Sequence, residues 1–308
     1  MSRFTDFIDA RSVALTEGSI YERLRRNPTV AFDPDLCHGG LIYTPKDREA
    51  LADLHRAYLA ASGNFSILLF TDTWRANAER IAKSAYAGRP VNRDNVAFLR
   101  QLAAPNGDRV FLGGLLGCRG DAYKPREALN AAEAETFHSP QIRGLIEGGV
   151  DFLFAATLPA FSEALGLARA MASHPALISF VIRPQGTLLD GMDLAEAILR
   201  IDDVAPPLGY GINCVHPKVL TPALARLERT HPDLLGRLVT FQANTSALSP
   251  EALNAIATLQ IEAPDRFAQE VTMVGRRFAI PILGGCCGTD ERHIAALAKA
   301  IASDKKNL

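Results

Sequence analysis

Short apolar runs rich in Val, Ile, Leu and Phe recur along the chain at residues 13–17, 66–71, 109–116, 151–157, 176–182, 209–215, 238–242 and 280–284. Runs of this length, bounded by turn residues, read as buried strands. Between them lie longer stretches with apolar residues three and four apart, at 47–61, 75–87, 92–103, 126–147, 162–172, 194–201 and 250–258, and one more, 290–301, follows the last run. That spacing lays one apolar stripe along a helix. Ser249 before Pro250 reads as a helix start, because Ser caps the free backbone amides and Pro suits the first helical position. Strands alternating with helices in this number, over about 300 residues, match a parallel (β/α)8 barrel of the TIM type, with a doubly wound open sheet as the alternative. No Gly/Ser-rich linker, charge block or low-complexity stretch divides the chain, so a single domain is expected over residues 1–308. The 28–45 segment, with Pro34, Gly39 and Gly40, reads as a loop insertion of no legible purpose.

Composition narrows the partners. Lys plus Arg number 33 against 34 for Asp plus Glu, and the net charge of -1 leaves no basic excess to hold a phosphate backbone, which argues against nucleic acid as the main partner. With 48% hydrophobic and 22% charged residues the chain is far from the regime of disorder. No apolar run approaches the roughly 18 residues of a membrane span, and the first residues lack a signal-peptide core, so the expected compartment is the cytoplasm. Five cysteines, an odd number with two adjacent, do not make a secreted disulfide framework.

Cys214 ends the sixth apolar run, in Gly-Ile-Asn-Cys-Val-His-Pro, and Cys286 and Cys287 end the eighth, in Gly-Gly-Cys-Cys-Gly-Thr. In a barrel all three thiols reach the C-terminal face of the strands, where barrel active sites are built. Three convergent thiols suit Zn²⁺, whose catalytic sites keep one position open. Core packing or a vicinal disulfide is the competing reading of the same cysteines. Gly284, Gly285 and Gly288 permit the sharp turn that aims the adjacent thiols inward, and Asn213 can hold the strand end through its amide. Cys37 and Cys118 have no motif context and read as ordinary thiols. His216, followed by Pro217, reads as a loop residue, with a role near the thiols as the alternative.

Gly-Ile-Asn-Cys and Gly-Gly-Cys-Cys-Gly-Thr resemble the zinc motifs of the homocysteine S-methyltransferase family, which includes the betaine- and S-methylmethionine-homocysteine methyltransferases. The likeness extends to Thr71-Asp72-Thr73-Trp74, to Gly149-Val150-Asp151-Phe152-Leu153-Phe154, to Gly186-Thr187-Leu188-Leu189-Asp190-Gly191 and to the final helix. It implies a (β/α)8 barrel in which Cys214, Cys286 and Cys287 bind Zn²⁺ and the acceptor thiol takes the open position. A free thiol has a pKa near about 8.5, whereas a metal-bound thiol is largely thiolate and remains nucleophilic. The expected activity is transfer of a methyl group from a sulfonium or ammonium donor to a thiol, with homocysteine giving methionine as the leading acceptor. A family member with a different thiol acceptor, and a zinc-containing binding or regulatory barrel without turnover, are the alternatives.

A cationic donor favours an aromatic face and a carboxylate, which makes Trp74 and Asp72 the candidates for that end of the site. Glu17-Gly18-Ser19 stands where the family has an Asp-Gly turn, and Glu17 is expected to reach a substrate ammonium. Thr157, Asn213 and Asn244 complete the expected substrate-binding set, Asn244 keeping the amide of the family's Pro-Asn-Ser-Gly stretch. Ala156 stands where the family carries a Glu that binds the acceptor's amino group, which removes a charged hydrogen bond of about 1.5–3 kcal/mol.

Overall fold

The computed structural model describes residues 2–248 and 261–304. Eight parallel strands form a closed barrel in sequence order: β1 (Ala14–Thr16), β2 (Ser66–Phe70), β3 (Val110–Leu116), β4 (Phe152–Leu158), β5 (Ala176–Phe180), β6 (Gly209–Val215), β7 (Leu238–Ala243) and β8 (Ile282–Gly285). Pairing of Ala14 with Ile282 and of Leu15 with Leu283 closes the ring. Each expected strand is present within two residues of its expected bounds.

Alternation along the strands divides the core. Leu68, Phe70, Phe111, Phe152, Phe154, Ala156, Leu177 and Ile282 pack with one another inside the barrel, while Leu15, Ile67, Leu69, Leu112 and Leu153 pack outward against the helices. A short helix, Arg3–Asp9, is anchored to the inner group by Phe4 and Ile8, and the Phe4 ring stacks on Phe152 with centroids 4.0 Å apart. That helix was not expected. At seven residues it is too short to show a helical period, and only the inner cluster gives its two apolar side chains a destination.

Helices Pro45–Ala61, Val91–Ala103, Phe161–Met171, Leu194–Val204 and Glu291–Asp304 stand where the spacing places them. The expected 75–87 helix shrinks to Ala78–Lys83, capped by Asn77. The expected 126–147 helix begins at Ala131, because Asn130 and Glu133 form a reciprocal capping box that satisfies the first free amides, and it ends at Gly149 in the left-handed conformation. Besides Arg3–Asp9 and the five-residue Tyr21–Arg25, two longer helices were missed, Pro217–Thr230 and Pro264–Arg277. Both open on a proline, which reads as a break in sequence but stands at a first-turn position where its missing N–H costs nothing. The 28–45 segment holds a 3₁₀ turn, His38–Tyr43, packed against helices Pro45–Ala61 and Val91–Ala103. The helix expected at 250–258, with its Ser249 cap, lies outside the described residues. Among the described residues no helix is long and apolar enough to cross a membrane.

Candidate metal centre and its surroundings

Two strand ends carry the strain that builds the site. Thr157 at the end of β4 and Cys214 at the end of β6 both have positive φ, 60° and 57°, although neither is glycine. The ladder slips by one residue beside each of them, between Ala155 and Leu158 and between Asn213 and Val215. Such bulges re-aim a side chain at a strand end, and non-glycine residues hold this conformation only when their surroundings enforce it. The enforcing group is Asn213. Its Oδ1 accepts from the Thr157 N–H at 2.9 Å and the Ser179 hydroxyl at 2.7 Å, and its Nδ2 donates to the Thr157 hydroxyl. The expected residues Asn213 and Thr157 therefore meet, and they tie β4, β5 and β6 together.

Cys286 and Cys287 lie in the turn after β8. The Cys286 N–H donates to the Ala243 carbonyl at 2.7 Å, the Thr245 N–H donates to the Cys287 carbonyl at 3.1 Å, and the Gly288 N–H donates to the Glu22 carboxylate at 2.6 Å. Gly288 needs its glycine twice over: φ is 84°, and a Cβ there would lie 1.8 Å from the Thr245 hydroxyl oxygen. The result brings the sulfurs of Cys214, Cys286 and Cys287 within 4.8 Å of one another, with Cys214 Sγ 3.5 Å from Cys287 Sγ. Hydrogen bonds from the Cys286 and Cys287 thiols pull the Cys214 pKa well down, while serving as donors to Cys214 pushes both neighbours up.

A residue that the motifs did not single out touches Cys214. The Tyr123 hydroxyl lies 3.0 Å from Cys214 Sγ. The Cys214 charge and then burial hold the phenol pKa well above its ordinary value, so Tyr123 keeps its proton and donates it. Asn244 lines the same cavity of about 100 Å³ as Tyr123, Cys214 and His216. Its Nδ2 donates to the Cys214 carbonyl at 3.1 Å, which fixes the amide's orientation, and its Oδ1 is buried without a partner. Three soft sulfurs converging in this way fit a thiophilic divalent ion such as Zn²⁺.

Glu17, Gly18 and Ser19 lie beside the cysteine turn but are engaged elsewhere. The Ser19 N–H donates to the Thr289 hydroxyl at 3.2 Å, and that hydroxyl donates to the Cys286 carbonyl at 2.6 Å. A Cβ on Gly18 would lie 2.8 Å from both Thr289 and Tyr58. Glu17 accepts from His55 Nδ1 at 3.1 Å and from the Phe70 N–H at 3.2 Å, and Asp72 faces His55 Nε2 at 3.2 Å. Because a carboxylate faces each ring nitrogen of His55, both nitrogens donate and the ring is an imidazolium. Burial alone would lower its pKa, but Asp72 and Glu17 push it up to about 10. His38, in the 28–45 segment, adds its Nε2 at 3.7 Å from Asp72. His55 lies on the buried face of helix Pro45–Ala61 with Leu51, Tyr58 and Leu59, where a lone histidine among apolar neighbours was the only available signal.

Trp74 is half-buried, and the Arg75 guanidinium lies 4.1 Å over its ring, so its own neighbour covers one aromatic face. Ala156 is buried on the inner side of β4. His216 stands in the connection between β6 and helix Pro217–Thr230, the loop position expected, and from there it caps the helix, its Nδ1 accepting from the Lys218 N–H at 3.1 Å. Its Nε2 faces Glu262 and Glu270 at 3.5 and 3.8 Å, a second group with metal-ligand side chains. Burial lowers its pKa, and with Nδ1 already accepting, the ring proton sits on Nε2, leaving no lone pair there for a metal.

The sequence model of the homocysteine S-methyltransferase family matches residues 14–301. The homocysteine S-methyltransferase of Escherichia coli K12 is 30% identical over 184 residues, covering 58% of this chain and 55% of that enzyme. Betaine–homocysteine S-methyltransferase 1 of Xenopus tropicalis is 24% identical over 326 residues, covering 97% of this chain and 75% of that one. The match thus spans little more than half the length of the bacterial enzyme. Among solved structures, the metallated form of the homocysteine methyltransferase MmuM from Escherichia coli superposes with a TM-score of 0.74 at 21% identity, covering 96% of this chain and 98% of that one.

Proposed function

The chain belongs to the homocysteine S-methyltransferase family, and we propose that it is a zinc-dependent enzyme that moves a methyl group from a sulfonium or ammonium donor to a thiol, with homocysteine as the leading acceptor. The observation that carries this reading is the convergence of Cys214, Cys286 and Cys287 at the C-terminal rim of the barrel, where active sites of this fold are built. Cys214, Cys286 and Cys287 would hold the ion, leaving its remaining position to the acceptor thiol. The ion supplies an electrophilic centre that lowers the pKa of a thiol brought to it, so that the thiol reacts as a nucleophile at neutral pH.

The protein's own part is placement. Asn213 and the bulges of β4 and β6 fix the direction of Cys214, and the Gly288 turn fixes the other two thiols. Cys214 is buried with the half-buried Tyr123 ring beside it, while Cys286 and Cys287 are half-buried and lie open to an incoming thiol. In the displacement a sulfur–carbon bond forms as the donor's carbon–sulfur or carbon–nitrogen bond breaks; the donor leaves neutral, and the thiol's proton goes to solvent. Holding the two reactants in line is the chief service a protein can perform for such a step.

Two features favour an acceptor other than homocysteine as the second reading. Ala156 offers no charge, and Glu17 is bound by His55 and the Phe70 amide. The test is metal analysis of reduced protein with an assay of paired donors and thiols. We expect one zinc per chain, lost in Cys214→Ser and Cys286→Ser, and methyl transfer that depends on it. Metal-free protein, after purification under reducing conditions with zinc supplied, would sink the proposal.

A further inference from the structure

The loop between β3 and helix Ala131–Gly148 is held more firmly than a surface connection requires. Glu163, with no exposed surface, accepts from the Arg119 N–H at 2.7 Å and the Leu129 N–H at 3.4 Å, so one carboxylate grips the amides near both ends of the loop. His138 Nε2 pairs with the same carboxylate at 2.9 Å. Arg75 takes the carbonyl side, donating to Gly120 at 2.6 Å and Cys118 at 3.2 Å, and is itself stacked on Trp74. Asp121 Oδ1 accepts from the Tyr123 N–H at 2.9 Å and sets the turn that carries the phenol. Charged hydrogen bonds of this kind are the strong ones, and removing a buried partner leaves the other stranded. Fixing a loop this tightly is explained by what it delivers, the Tyr123 hydroxyl on Cys214 Sγ.

We propose that Tyr123 is a positioning residue of the metal centre, donating a hydrogen bond to the Cys214 thiolate while it serves as a ligand, and that Glu163 holds it in place. This rests on the reading of the three cysteines as a metal site. Three thiolates give a divalent ion an excess of negative charge, and a donor on one of them withdraws charge from that sulfur. The ion is left more electrophilic toward the incoming thiol. Groups that orient a ligand in this way are worth about 10–100-fold in metal affinity. The same arrangement gives Arg75 and Trp74 a place in the centre's support.

Cobalt is the probe, since its bonds to thiolate absorb in the near ultraviolet at an energy set by the charge on sulfur. Metal-free reduced protein is titrated with Co²⁺, and affinity is read by competition with a chelator. For Tyr123→Phe, which keeps the ring, we expect affinity to fall about 10–100-fold and the sulfur-to-cobalt band to move to lower energy. Glu163→Gln, which keeps the volume, should shift both in the same direction but less, and circular dichroism verifies that both variants fold. A Tyr123→Phe protein whose band is unmoved and whose affinity lies within about twofold of the parent would overturn the assignment, whatever its melting temperature. If the parent protein itself shows no thiolate-to-cobalt band, the metal reading fails and this inference fails with it. If the parent band is present and the variant band is unmoved, only the role of Tyr123 is lost.

Discussion

Cys214 Sγ and Cys287 Sγ stand 3.5 Å apart, although one thiol ends β6 and the other follows β8. At that separation a small movement brings the sulfurs to bonding distance, and the hydrogen bonds from its neighbours that lower the Cys214 pKa favour it as the attacking sulfur. All five cysteines are free. We expect mild oxidation of metal-free protein to remove two titratable thiols, leaving three, and to abolish metal binding until a reductant is added. Prior loading with Zn²⁺ should protect both thiols. Retention of five thiols by the metal-free protein under the same oxidant would show that the sulfurs do not meet in solution.

His55 makes the protein's stability depend on pH in a defined direction. Its pKa in the fold is about 10, above the ordinary value of 6.5, so the folded state keeps a proton that the unfolded chain loses. The stabilisation is whole below about pH 6.5 and drains away as the pH rises through 10. Melting temperature measured from about pH 6 to about pH 10.5 should fall across that window. In Glu17→Gln, with one carboxylate gone, the fall should begin at lower pH and the protein should be less stable at neutral pH, because a buried pair has lost a partner. A melting temperature that is flat across the window would show that His55 is neutral in the fold.

Ala156 lies between Ala155 and the strained Thr157, on the inner face of β4. A carboxylate there would supply the charged hydrogen bond to an amino group that Ala156 lacks. We expect Ala156→Glu to tighten homocysteine binding by about tenfold, measured by calorimetry on zinc-loaded protein, while a thiol of the same length without the amino group gains nothing. Tight homocysteine binding by the unaltered protein would show that another group already holds the amine.

The barrel was legible because its information is local. Each strand is a short apolar run and each neighbouring helix an apolar stripe, and the chain's order alone dictates which strand lies beside which. Cys214 and the Cys286–Cys287 pair were legible as well, because a barrel brings strand ends to one face, the adjacent glycines announce a turn, and the motif resemblance set these thiols apart from ordinary core cysteines. Only the tertiary structure decided what surrounds them. Tyr123 stands 91 residues from Cys214 in the chain, on a loop whose sequence carries no period, and it reaches the thiolate because Glu163 and Arg75 fix that loop from two other elements. His55 looked like one more residue on a helix's buried face until β1 and β2 brought Glu17 and Asp72 to its two nitrogens. Their proximity, acting against the burial that opposes charge, made three isolated side chains a cluster that engages the very carboxylates expected at the substrate. Patterns of spacing specify which face a residue occupies; the charge it carries, and whether a partner has already claimed it, depend on contacts between segments far apart in the chain.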